Sequence, residues 1–249
     1  MKKRADLMLV ERGLVESRAR AQALIMAGKI YSADRPIRKS GDLLPEDAPL
    51  MVKGADHPWV SRGGLKLAHG IAHFGLSPAD KICLDVGSST GGFTDVLLHH
   101  GGAKVYAVDV GHGQLDWRLR NDPRVVVMEK TNARYLTNAQ IPEPIEVLVC
   151  DASFIGQRTL LPAPMALCAP DAWAIVLIKP QFEAGAEAVN AGKGVIRDPA
   201  IHRAVCEEIG AWWAAQPGWS VLGTLESPIT GPEGNREFLL AARFSTGII

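Results

Sequence analysis

The chain has 249 residues, 47% hydrophobic and 22% charged, with 27 basic and 27 acidic side chains. That length and composition allow one large domain, or a medium domain joined to a small one, around a real buried core. No apolar run approaches the roughly 20 residues that cross a bilayer, and the charged start MKKRADLMLVERG contains no signal-peptide core. A cytoplasmic protein without a membrane partner is therefore expected.

Zero net charge hides an asymmetry. Residues 1–39 hold ten Lys/Arg against four Asp/Glu, which leaves the remainder equally acidic. A compact basic end on an acidic protein suggests a polyanion-binding module. ADLMLVER reads as a short helix with Leu7 and Val10 on its inner face and Gly13 as its stop. Ser17 reads as the N-cap of a second helix that turns Leu24 and Ile25 inward, and Gly28 closes it. Strand-like pieces follow at residues 29–31 and 50–52, with a turn near Asp34–Pro36. The small unit ends at Lys53, and residues 54–60 read as a linker before a larger domain over 61–249.

Beyond the linker, apolar strands at Ile82–Val86, Val105–Val110, Val125–Met128, Val147–Cys150 and Ala174–Ile178 alternate with helices at Phe93–His99, Leu115–Leu119, Thr159–Leu167 and Pro199–Ala214. Near-continuous apolar strands separated by helices predict a parallel sheet covered on both faces. The closely spaced strands Ser220–Leu225 and Phe238–Arg243 predict an antiparallel hairpin at the sheet edge. Cys83 and Cys150 lie inside strands, and the four cysteines form no close pairs, so buried thiols are expected, with no disulfide and no metal site.

The run LDVGSSTGGFTD, Leu84 to Asp95, is a strand, a glycine turn and a helix start. Such a turn holds a ligand near exposed backbone N–H groups. Its spacing is not G-x-G-x-x-G, which argues against a hydride-transfer dinucleotide. Asp109 ends the second strand 22 residues after Gly87, where a carboxylate can accept from ribose hydroxyls; Asn132 follows the third strand and Asp151 ends the fourth. The loop DVGSSTGGF resembles the D-x-G-x-x-x-G-G loop, followed by Phe or Trp, of FtsJ-like RNA 2′-O-methyltransferases. That resemblance implies S-adenosyl-L-methionine as cofactor, held by Asp85, Gly87, Ser88, Ser89, Thr90, Gly91, Gly92 and Phe93, with Asp109, Asn132 and Asp151.

Methyl transfer to a sugar hydroxyl needs alignment and a base, and lysines with acidic partners suit that task. Lys179 ends a strand beside Asp151, Lys66 lies in SRGGLKL, and Glu237 lies in GNREF. These four match, in order and local context, the Lys–Asp–Lys–Glu tetrad of ribose 2′-O-methyltransferases. Together with DASF, KPQFE and SRARAQALIMAGK, they give nearly the whole chain the look of the TlyA family, often labelled haemolysin A. The resemblance implies a small N-terminal α+β S4-like RNA-binding domain joined to an α/β, Rossmann-like class I methyltransferase sheet. It implies methylation of a cytidine 2′-hydroxyl in ribosomal RNA, with ribosomal RNA or subunits as partners and no DNA. Lys179 would be the base, Lys66 and Asp151 would tune it, and Glu237 would orient the lysines or the ribose. Lys2, Lys3, Arg4, Arg18, Arg20 and Lys29 would meet phosphates. SADRPIRK departs from the family by lacking the usual glycine-centred turn.

Three alternatives are weaker. A base methyltransferase working on amino groups usually carries an Asn/Asp-Pro-Pro-aromatic loop where this chain has DASF. A non-catalytic ribosome-assembly factor would not need all four tetrad positions. A lytic protein would need a membrane-active helix that the chain lacks.

Overall fold

The computed structural model describes residues 2–15, 17–53, 57–185, 194–231 and 234–245. Residues 2–52 surround a core of their own. Strand β1 (Lys2–Arg4) leads into helix α1 (Ala5–Glu11), and Ser17 Oγ caps helix α2 (Arg18–Met26) by accepting the Arg20 N–H at 3.2 Å. Strands β2 (Ile30–Ser32), β3 (Arg35–Pro36), β4 (Leu43–Pro45) and β5 (Met51–Val52) follow, β1 pairing with β4 and β2 with β3 and β5, all antiparallel. Ala5, Met8, Leu9, Ala21, Leu24, Ile25 and Ile30 fill the centre. The inward face of α1 is thus Ala5–Met8–Leu9 rather than Leu7–Val10, and Leu7 is exposed. Residues spaced i, i+3, i+4 share a helix face, and Ala5, Met8 and Leu9 are the set that meets α2. β1 and β4, three residues each, are too short to have stood out in the sequence.

The larger unit begins with helix α3 (Gly63–Phe74), an element the strand–helix alternation did not predict. Next come β6 (Ile82–Val86), α4 (Gly92–His99), β7 (Lys104–Val108), α5 (Trp117–Arg120), β8 (Val125–Met128) and β9 (Ile145–Cys150). The chain then forms α6 (Gln157–Leu160), α7 (Pro162–Ala166), β10 (Cys168–Ile178), α8 (Pro180–Glu183), α9 (Pro199–Ala214), β11 (Trp219–Glu226) and β12 (Phe238–Phe244). The helix expected over Thr159–Leu167 is two pieces, because Pro162 has no N–H to continue the first and starts the second.

The sheet order is β11-β12-β10-β9-β6-β7-β8. Strands β10, β9, β6, β7 and β8 are parallel, and β12 is antiparallel to both neighbours. The hairpin therefore inserts its second strand, leaving β11 at the edge. Successive side chains of a strand point to opposite faces. Leu84, Val86, Leu148, Val176 and Leu240 share one core layer with α6, α7 and α9, while Cys83, Val147, Val149, Ile175 and Leu239 share the other with α3 and α4. Each fully buried Val or Leu contributes about 1.5–3 kcal/mol, which fixes the register. Trp59 and Val60, at the end of the expected linker, pack on this second layer and so belong to the larger unit; residues 54–56 of that linker lie outside the described residues. Strand order reverses between β6 and β9, which opens a crevice beyond their carboxyl ends.

Candidate active site

Strand ends deliver the site. Gly87 leaves β6, Asp109 leaves β7, Asp151 leaves β9 and Lys179 leaves β10. The Gly87 and Ser88 N–H groups donate to the Val108 carbonyl, at 2.8 and 3.1 Å, and the Asp151 N–H donates to the Val86 carbonyl at 3.1 Å, so the loops are tied across strands before any ligand arrives.

Glycine in this loop serves packing as much as ligand approach. Gly87 sits at φ +79°, and a Cβ there would lie 2.9 Å from the backbone of Ala152; Gly91 sits at φ +95° with Leu119 at 2.3 Å from the same hypothetical atom. L-residues resist that conformation, and neither position has room for a side chain. At Gly92 a Cβ would meet Ser61 Oγ at 2.5 Å, which explains how the SRGG and TGG runs let α3 press against the loop. Asp85 stands behind the loop: it is fully buried, accepts from Thr94 Oγ1 at 2.7 Å and lines neither part of the cleft. Burial pushes its carboxyl up to about 7. The structure thus gives Asp85 a loop-anchoring place rather than the ligand contact expected from the motif.

Two connected hollows of about 460 Å³ each make up the cleft. One is lined by Val86, Val108, Asp109, Gln114, Asn132 and Ala133 among others. Both oxygens of Asp109 already accept backbone N–H groups, Ser89 at 2.8 Å and Gly111 at 2.6 Å. Each carboxylate oxygen keeps a second lone pair, so the group can still receive a hydroxyl. Ser88, Thr90, Gly92, Phe93, Lys66 and Lys179 line the other hollow, whose opposite wall is the end of α1, Val10 to Gly13. Gly87, Ser89, Asp151, Ser153 and Glu11 border both. A glycine-walled hollow that leads from an acidic strand end to a pair of lysines fits an adenosine joined to a charged amino-acid tail.

The four charged residues singled out in the sequence meet here. Lys66 Nζ lies 2.6 Å from Glu237 Oε2 and 3.2 Å from Asp151 Oδ2, while Lys179 Nζ lies 2.6 Å from Asp151 Oδ1. The result is an alternating row, Glu237–Lys66–Asp151–Lys179, with both lysines more than nine-tenths buried. Burial pushes Lys66 down, but the facing carboxylates of Asp151 and Glu237 outweigh it and leave the ammonium above its ordinary value. Burial likewise pushes Asp151 up, and Lys179 and Lys66 overcome that to hold it ionised below the usual range.

Some neighbours gave little sequence signal. Ser153 Oγ accepts from Lys179 Nζ at 2.9 Å. Phe154 is 89% exposed, at φ +66°, with its ring 5.1 Å from that of Phe182 on α8. An exposed aromatic in a left-handed conformation at a cleft rim is a costly arrangement that a folded core would not require. DASF marked the place, yet its Ser and Phe read only as context for Asp151.

The expected phosphate contacts are more occupied than their charge suggests. Arg4 holds Asp6 with two N–H groups at 3.0 Å, Arg18 Nε donates to the same carboxylate at 2.8 Å, and Gln22 joins at 3.1 Å. Arg4 first and then Arg18 hold the buried Asp6 well below the usual carboxylate range. Lys3 pairs with Glu11 at 3.0 Å and Glu46 at 3.4 Å. Lys29, like Arg20, is exposed, whereas Lys2 stands on β1 next to this cluster.

Comparison with known proteins shows the family. The FtsJ-like methyltransferase family matches residues 59–244. The chain is 49% identical over 240 residues to a candidate rRNA methyltransferase, YqxC, of Bacillus subtilis, covering 96% of this chain and 85% of that one. It is 45% identical over 244 residues to the 16S/23S rRNA (cytidine-2′-O)-methyltransferase TlyA of Mycobacterium tuberculosis, covering 98% and 90%. A solved structure named as a candidate hemolysin from Streptococcus thermophilus superposes with a TM-score of 0.82 at 40% identity, over 99% of this chain and 90% of that one.

Proposed function

This chain belongs to the FtsJ-like methyltransferase family, and from that premise we propose that it methylates the 2′-hydroxyl of a cytidine in ribosomal RNA, with S-adenosylmethionine as donor. The observation that carries the reading is the row Glu237–Lys66–Asp151–Lys179, whose two lysines line one hollow of the cleft and whose Asp151 borders both. The Mycobacterium tuberculosis relative is named for the same reaction.

Bound S-adenosylmethionine would supply a methyl carbon on a positively charged sulfur, whose carbon–sulfur bond breaks as the new carbon–oxygen bond forms. The loop Gly87–Phe93 would hold its amino-acid end, and Asp109 and Asn132 its ribose. With the methyl already activated, the protein's own task is to align the hydroxyl and take its proton. Lys179 is the base in this reading. With Lys179 neutral, the row Glu237–Lys66–Asp151 carries one net negative charge; the arriving proton restores neutrality, which favours the transfer. Glu237 keeps Lys66 charged, and Lys66 keeps Asp151 ionised and in place. Phe154 offers the target nucleotide a face for stacking. No thiol competes as a nucleophile: burial pushes Cys150 up to about 12.

In this reading the unit over residues 2–52 tethers RNA through phosphate contacts by Lys2, Lys3, Arg4, Arg18, Arg20 and Lys29, with Arg4 and Arg18 using N–H groups that Asp6 leaves open.

The test is incubation with labelled S-adenosylmethionine and ribosomal subunits, followed by mapping of 2′-O-methylation. Label is expected on a cytidine ribose and is expected to vanish with Lys179→Ala. An absence of methyl incorporation into either subunit, or undiminished incorporation by the variant, sinks the proposal.

A further inference from the structure

Three acceptor atoms surround Lys179 Nζ: Asp151 Oδ1 at 2.6 Å, the Asp151 carbonyl at 3.2 Å and Ser153 Oγ at 2.9 Å. An ammonium offers three N–H donors; a neutral amine offers two and a lone pair. Asp151 Oδ1 meets Nζ as an ion pair and the Asp151 carbonyl as a hydrogen-bond acceptor. Carboxylate and carbonyl oxygens only accept, so a nitrogen lone pair turned to either is repelled, and the N–H groups of the neutral amine stay on the Asp151 side. A hydroxyl both accepts and donates. The lone pair of neutral Lys179 therefore falls on the Ser153 side. Ser153 is also the partner on the open side: it is exposed, borders both hollows, and among the described residues donates its own hydroxyl proton to no protein group.

We propose that Ser153 is a positioning residue for methyl transfer, fixing the corner of Lys179 at which the substrate proton arrives. It accepts an N–H while the amine is charged and turns its own O–H outward when the amine is neutral, which leaves the lone pair to the entering hydroxyl. This rests on the reading of Lys179 as base. The ribose hydroxyl enters at that corner and its O–H bond breaks. The proton forms an N–H bond on Nζ, and the electron pair left on oxygen bonds the methyl carbon of the sulfonium donor; the pair of the broken carbon–sulfur bond stays on sulfur. The charged groups around the site are Asp151 after β9, Lys66 on α3, Arg62 just before α3, Glu237 before β12, and Glu11 and Arg12 at the end of α1, and of these only Asp151 touches Nζ.

The experiment is the pH–rate profile of methyl transfer into ribosomal subunits for the intact chain, Ser153→Ala and Ser153→Thr, at saturating donor. Ser153→Ala is expected to lower kcat about ten- to thirtyfold with KM for RNA and donor within about twofold. It removes an acceptor that favours the ammonium, so the acid limb of the profile moves to lower pH by about half a unit. Ser153→Thr, which keeps the hydroxyl, is expected to restore both rate and limb. An unmoved limb, an unchanged kcat, or a threonine variant as slow as alanine overturns the proposal. A wild-type chain that methylates no ribosomal RNA overturns the proposed function itself, and that result is distinct from a working enzyme indifferent to Ser153.

Discussion

Asp6 in the small unit and Asp151 in the large one are both carboxylates gripped by two cations, but the burial is inverted. Asp6 has no exposed side-chain surface while Arg4 and Arg18 are 41% and 52% exposed; Asp151 is 19% exposed while Lys66 and Lys179 are at 8% and 7%. In the first cluster the acid is the hidden fastener and the guanidiniums face water, which fixes a rigid basic surface. In the second the amines are hidden at a cleft and the acid links them. Arginine does not surrender its proton in proteins, and lysine does. The same motif of charges therefore makes a clamp in one place and proton-handling machinery in the other, and the cation chosen decides which.

Exchanging the cations tests that contrast. Lys179→Arg keeps a positive charge on Asp151 but removes the base, so methyl transfer is expected to fall about 10³-fold while thermal unfolding stays close to wild type; a variant retaining a tenth of the rate would break the comparison. Next in size is Asp6→Asn, which should cost about 2 kcal/mol of local stability, read as faster amide exchange in α1 and α2. Because Asp6 is held below its unfolded value, its contribution is complete above about pH 4 and is lost as pH falls from there. The gap between wild type and variant should accordingly hold from pH 7 to about pH 4 and narrow below it; a gap independent of pH down to about pH 2 would show that charge is not what Asp6 contributes. Smallest is Arg18→Lys, which loses the planar fork but keeps a cation on a half-exposed pair. It should cost about 0.5 kcal/mol in urea unfolding, and a loss as large as that of Asp6→Asn would mean Arg18 rather than the acid is the fastener.

Sequence alone exposed the parallel sheet, since strands such as Val147–Cys150 and Ala174–Ile178 are apolar on both faces and need cover on both. It also exposed the strand-end groups Asp109, Asp151 and Lys179, because a polar residue closing an apolar run has to emerge at the sheet's carboxyl edge. Lys66 was visible only as part of a motif. Its helix α3 begins with two glycines, poor helix formers; at the second, Gly64, a Cβ would lie 2.5 Å from Trp59. Gly91 and Gly92 read in the sequence as glycines of a ligand loop, and the structure adds a packing reason for each: a Cβ would meet Leu119 at Gly91 and Ser61 at Gly92.

Residue order by itself determined the strand–loop–helix rhythm and the chemistry available at each loop, since both depend on local periodicity and side-chain type. Only the tertiary structure decided which charges face each other: that Asp6 holds Arg4 and Arg18, and that Lys66, Asp151, Lys179 and Glu237, spread over 172 positions of chain, stand within 3.2 Å of a neighbour in one row. Contacts at that separation are set by how layers pack across the sheet, and no local pattern encodes them.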